Sequence, residues 1–143
     1  MNIKIANTDE EIKACFPVMQ ALRIDLVEEA FVEKIRNQQK SGYILAYVEN
    51  LAKPVAVAGF RVNESLSWKR YLYADDLVTL TDERSKGYGA ALLNWLTEYA
   101  QKEGCSTFHL DSGIQRKDAH RFYEREGLQL VAYHFAKQVT SSK

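Results

Sequence analysis

Apolar residues along the chain recur with two different periods, and the changes of period mark element boundaries. Ile3 to Ala6 reads as a short first strand. Thr8 follows as a helix N-cap, and Glu11 three residues on completes a capping box. Behind it Ile12, Cys15, Phe16 and Met19 fall at helical spacing, and Pro17 is expected to bend or divide that helix. A second helix is predicted from about Leu26 to Gln39, with Val27, Phe31 and Ile35 on one face and Gly42 beyond its end. Tyr43 to Glu49 and Val55 to Val62 read as strands joined by a turn, an antiparallel hairpin. After a loop from Glu64 to Trp68, Arg70 to Leu80 reads as a long strand that carries two adjacent acids, Asp75 and Asp76.

The clearest helix is Gly87 to Lys102. Tyr88, Ala91, Leu92, Trp95, Leu96, Tyr99 and Ala100 repeat at the spacing of one buried face, and Gly104 sits where a glycine ends a helix. Thr107 to Leu110 is a strand, Arg116 to Glu126 a helix closed by Gly127, and Leu128 to Val139 an extended segment. The strands before and after the Gly87 helix form a βαβ unit and should be parallel, whereas the earlier strands are antiparallel. The expectation is therefore an α/β protein, a single domain over residues 1–143. Its sheet should be mixed but mainly antiparallel, of six or seven strands, with helices on both faces.

Composition narrows the chemistry. The chain has 143 residues, 46% of them hydrophobic, enough for a full core without metals or disulfides. Its formal net charge is zero, which argues against a broad electrostatic grip on nucleic acid. Only a local basic patch remains, from Arg84, Lys86, Arg116, Lys117 and Arg121. Cys15 and Cys105 follow no metal-ligand or redox spacing, and His109, His120 and His134 form no zinc motif, so no metal is expected. The polar N-terminus and the lack of a long apolar run predict a soluble, cytoplasmic protein with no membrane partner.

The strongest chemical signal is Arg84-Ser85-Lys86-Gly87-Tyr88-Gly89-Ala90, between a strand and a helix. Glycines let the backbone approach a ligand closely, and the first amides of a helix point at an anion along the positive end of its dipole. Arg84 and Lys86 add charge, so a pyrophosphate suits the place. A Walker A loop is absent, and a dinucleotide fingerprint lacks its third glycine, since Leu92 stands there. The pattern that fits is R/Q-x-x-G-x-G/A; a plain strand-to-helix turn is the unadorned alternative.

That segment resembles motif A of the GCN5-related N-acetyltransferase (GNAT) family. About thirty residues later, Ala119-x-x-Phe122-Tyr123-x-x-x-Gly127-Leu128 resembles the family's motif B. The resemblance runs from about Tyr71 to Leu128. Within it, Asp75 to Thr79, Leu110-Asp-Ser-Gly and Asp118-Ala-His-Arg-Phe-Tyr look like a bacterial subgroup labelled HPA2-like. It implies that the backbone of Leu77, Val78 and Thr79 holds the pantetheine arm of acetyl-CoA between splayed parallel strands. It also implies that Arg84 to Ala90 hold the pyrophosphate and that Tyr123 sits beside the thioester sulfur.

The implied reaction is attack of a primary amine on the thioester, with no covalent enzyme intermediate. Something must take the amine proton, because such an amine has a pKa of about 10. The family often has a glutamate base at the position of Tyr73; here Asp75 shares that strand face by the period-two rule and ranks first, Asp76 second, with a water chain as the alternative. Tyr123 is the candidate acid for the leaving sulfur. A non-catalytic acyl-CoA sensor is the rival reading. Motif B often has an asparagine where this chain has Arg116, and His120 is expected to face solvent, with a proton shuttle as the alternative. An acidic rim of Glu28, Glu29, Asp75 and Asp76 would suit a polyamine or a lysine side chain. A short C-terminal segment would leave a sheet edge open and invite a homodimer.

Overall fold

The computed structural model describes residues 1–140. They fall into two compact units, Met1–Leu110 and a second that begins at Asp111. The first unit contains β1 (Ile3–Ile5), α1 (Asp9–Ala14), α2 (Phe16–Leu22), α3 (Glu28–Gln39), β2 (Ile44–Asn50), β3 (Lys53–Ser65), β4 (Lys69–Thr79), α4 (Tyr88–Lys102) and β5 (Thr107–Leu110). The second contains α5 (Lys117–Arg125).

The strands form one sheet in the order β1-β2-β3-β4-β5. The first three pairings are antiparallel and the β4–β5 pairing is parallel. The βαβ rule thus gave the parallel sense of β4 and β5, and the earlier pairings are antiparallel as expected. The strand count is corrected: the described residues hold five strands, not six or seven. The missing one is the extended segment after Gly127, which joins no ladder through Val139. Leu130, Val131, Tyr133, Phe135 and Val139 are exposed there. Their apolar, β-favouring side chains suggest a strand, but a strand exists only where a neighbour takes its backbone hydrogen bonds.

Helix boundaries follow local chemistry. The Thr8 capping box is present, with the Glu11 amide donating to Thr8 Oγ1 at 3.0 Å and the Thr8 amide donating to Glu11 Oε1 at 2.9 Å. Pro17 divides the first helix: α2 restarts at Phe16 with the proline in its first turn, where no amide is needed. α3 begins two residues later than the periodicity suggests, so Val27 is an exposed N-cap rather than a core residue.

Two apolar clusters lie on opposite faces of the sheet. One joins Ile12, Phe16, Met19, Phe31 and Ile35 of the first three helices to Tyr43, Leu45, Tyr47 and Val57. The other joins Leu92, Leu96 and Ala100 of α4 to Ala46, Val48, Ala58, Phe60 and Leu72. Alternate residues of β2 enter opposite clusters, as the pleat requires. The helices on both faces are thus as expected.

One irregularity positions the site. In the β3–β4 ladder Gly59 pairs with Asp76 and Phe60 with Ala74, so Asp75 is an extra residue, a β-bulge. The period-two rule breaks here, and Asp75 and Asp76 line the same cavity.

Candidate active site

β5 pairs with β4 only over Tyr71–Ala74. Beyond the bulge, Leu77, Val78 and Thr79 pair with β3 at Ala58, Val57 and Ala56. Among the described residues no strand takes their other edge. That edge has the geometry on which an extended, amide-bearing chain adds as a strand.

The chain then turns through a short 3-10 segment, Thr81–Glu83, into the glycine loop. Ser85 has φ 67° and Gly87 φ 87°, both left-handed. For Gly87 this costs little, but a serine in that region is strained, and such strain concentrates at ligand sites. Gly87 caps α4 with no side-chain acceptor. The amides of Tyr88, Gly89 and Ala90 precede the first intrahelical bond, which Ala91 makes to the Gly87 carbonyl at 3.0 Å. Lys86 pairs with Glu83 at 3.2 Å, whereas Arg84 is exposed with no partner among the described residues. Unclaimed helix amides beside a free guanidinium form a fitting seat for a pyrophosphate.

The acidic pair stands on the face of the first three helices. Asp76 is fully engaged: Arg23 Nε donates to Oδ1 at 2.9 Å and the Tyr43 hydroxyl to Oδ2 at 2.7 Å. Arg23 Nη2 also reaches the Asp75 carbonyl at 3.0 Å. The Asp75 carboxylate meets Arg61 through Oδ2. Burial pushes the Asp75 pKa above its ordinary value, against the pull of Arg61. Burial also drives the Tyr43 hydroxyl far upward, and the Asp76 charge adds to it, so Tyr43 is a permanent donor here. These groups, with Met19, Leu26 and Lys34, line a cavity of about 360 Å³.

Sequence reasoning found the two acids but not Arg23 and Arg61, which with Tyr43 govern them. Arg61 left one signal, a charge next to Phe60 in an otherwise apolar strand. The acidic rim is corrected: Glu28 and Glu29 do not line this cavity, and both aspartates already hold arginines.

In the second unit, α5 carries Tyr123 half-buried beside Phe122, with ring centroids 5.5 Å apart. Burial raises the Tyr123 pKa and Arg116 opposes it, so the hydroxyl keeps its proton. His120 does not simply face solvent: its Nε2 lies 2.7 Å from the Gly113 carbonyl oxygen.

Comparison with known proteins now decides the family. The model of the acetyltransferase (GNAT) family matches residues 6–128. This chain belongs to the GNAT acetyltransferase family. It is 37% identical over 142 residues to the uncharacterized N-acetyltransferase YhdJ of Bacillus subtilis (strain 168), covering 97% of this chain and 99% of that relative. An aminoalkylphosphonate N-acetyltransferase of Salmonella typhimurium (strain LT2) is 40% identical over 62 residues, 43% of this chain and 40% of that protein. Among solved structures, a ribosomal-protein-alanine N-acetyltransferase from Brucella melitensis biovar Abortus 2308 superposes with TM-score 0.82 at 15% identity, covering 97% of this chain and all of that one. A GNAT family acetyltransferase of Staphylococcus aureus gives TM-score 0.81 at 19% identity, covering 96% and 98%. These two likenesses bear on the fold. The GNAT family and the full-length relative together make acetyl transfer the activity of this chain. GNAT enzymes draw the acetyl group from acetyl-CoA.

Proposed function

We propose that this GNAT enzyme acetylates the primary amine of a small molecule by direct attack, with Asp75 as the base and Tyr123 as the acid. The observation that carries the reading is the bulge, which brings Asp75, with one carboxylate oxygen unengaged among the described residues, to the lining of a small cavity next to an open β4 edge. Acetyl-CoA supplies an activated thioester; the protein must deliver an uncharged amine to it and protonate the departing sulfur. The new bond is C–N, the broken bond is C–S, and the amine proton leaves through Asp75.

Asp75 suits this work better than Asp76. Its Oδ1 has no partner among the described residues, while both oxygens of Asp76 are held by Arg23 and Tyr43. A carboxylate raised by burial is also a stronger base than an ordinary one. Leu77 to Thr79 are proposed to hold the pantetheine arm, and Arg84 to Ala90 the pyrophosphate. Tyr123 takes its role from its motif and from a hydroxyl that stays protonated. The family match spans parts of both units, which supports one catalytic domain. The cavity's size, and the amine in the name of the Salmonella relative, favour a small acceptor.

Asp75→Asn tests the base. In the wild type, kcat/KM for an amine should rise with pH as Asp75 loses its proton, in a window displaced upward from that of an ordinary aspartate. The rate should rise again as the amine itself deprotonates. The asparagine variant should lose the first rise and run roughly a hundredfold or more lower on the plateau. A superimposable pH profile in Asp75→Asn would assign the proton to water instead.

A further inference from the structure

We propose that the acceptor is a small amine bearing an anionic group at its far end, of the amino-carboxylate or aminophosphonate kind, with Lys34 and Arg23 receiving that anion. This rests on the reading of the cavity as the amine site. Its support is the set of polar groups left over once the internal bonds are made. Three cations, Arg23, Lys34 and Arg61, and two carboxylates, Asp75 and Asp76, line the cavity. Arg61 is spent on Asp75, Gln38 and Ser41. Arg23 uses Nε and Nη2 on the aspartate pair and keeps Nη1. Lys34, exposed on α3, has no carboxylate within ion-pair distance among the described residues. On the acidic side only Asp75 Oδ1 is left.

The cavity therefore offers one acceptor for an ammonium or amine and two cationic donors for an anion. A polyamine meets the opposite arrangement. Its second ammonium would face Lys34 and Arg23, or would have to displace an arginine from an aspartate. Breaking a partly buried pair leaves a charge without compensation. An amine with an uncharged tail escapes that penalty but leaves the cationic donors unmatched. A charge at Lys34 discriminates through the tail and not through the reacting nitrogen, so it acts as a specificity determinant.

The test uses the full-length protein, acetyl-CoA and four amines: β-alanine, 2-aminoethylphosphonate, propylamine and putrescine. Release of CoA thiol should be fastest per unit concentration with the two anionic amines, about tenfold or more above propylamine, and slowest with putrescine. Lys34→Glu should cut the ratio of kcat/KM for β-alanine over propylamine about tenfold. Lys40→Glu, just past the end of the same helix and not lining this cavity, should leave that ratio unchanged. The same amines titrated into the CoA complex read the preference without turnover. Binding preference for the anionic amines with no turnover would refute the acetyl-transfer role of this cavity while upholding the charge assignment. Preference for putrescine, no binding of either anionic amine, or a ratio untouched by Lys34→Glu would overturn the inference.

Discussion

Tyr123→Phe should lower kcat about a hundredfold while leaving the affinity for acetyl-CoA nearly constant. The substitution keeps the ring, which lies against Phe122 at 5.5 Å, and so keeps the packing of α5. It removes only the hydroxyl, whose proton burial retains well above neutral pH. General acid assistance contributes roughly a hundredfold to ten-thousandfold, and the lower figure applies when a thiolate is the leaving group, since it departs with little help. The interaction grows as charge develops on sulfur, so the loss belongs in kcat rather than in KM for the cofactor. Calorimetry of acetyl-CoA binding beside steady-state turnover separates the two. Full activity in Tyr123→Phe would make Tyr123 a packing residue.

Gly59→Ala should be the most damaging small substitution in the first unit. A Cβ there would lie 2.7 Å from Tyr43 Cε1 and closer still to the ring carbon and hydroxyl beyond it. Tyr43 is only 5% exposed, so the ring has nowhere to retreat. The glycine is required for space and not for conformation, because its φ is ordinary. It pairs with Leu45 on one side and Asp76 on the other, and the Tyr43 ring passes over it to place its hydroxyl on Asp76. Overpacking of this kind costs about 2–3 kcal/mol, which corresponds to a Tm lower by roughly 5–10 °C in a domain of this size. Activity should fall with stability, because the aspartate pair loses its donor. A control isolates the cause: in a Tyr43→Ala background, Gly59→Ala should add almost no further loss, as expected for residues in direct contact. An additive double variant would show that the clash is not the mechanism.

The regular parts of this fold were legible because local and long-range signals agree in them. The Thr8 capping box, the division of the first helix at Pro17, and the one-sided stripe from Tyr88 to Ala100 each have a single local reading, and the structure keeps all three. The parallel sense of β4 and β5 followed from the helix between them. The bulge was not legible. Period-two alternation carries no mark of where a ladder gains a residue, and Asp75 and Asp76 look the same as any pair of adjacent acids until Gly59 takes up opposite Asp76. The arginines escaped notice for a different reason. Arg23 and Arg61 lie 53 and 14 residues from the aspartates they hold, and no local pattern announces a pairing at that distance. The last strand failed because alternating apolar residues state a preference, while a ladder needs a partner, and none is present for Leu130 to Val139 among the described residues.

The glycine loop shows how far a motif reaches. Its sequence suggests an anion seat, and the structure adds the left-handed turns at Ser85 and Gly87 and the unclaimed amides at the start of α4. The loop does not by itself separate a catalyst from a binder of acyl-CoA. The proposed acid-base groups, Asp75 and Tyr123, would.

The proposed reaction moves the acetyl group straight to the amine, with no acyl-enzyme between. It is tested most directly by mixing the protein in excess with acetyl-CoA, first without and then with a small amine, and following CoA thiol and protein mass together. Direct transfer should give no thiol release and no added acetyl mass until the amine arrives, then one CoA and one N-acetylated amine for each acetyl-CoA consumed. A burst of CoA before the amine is added, with an acetyl group retained on the protein, would contradict it.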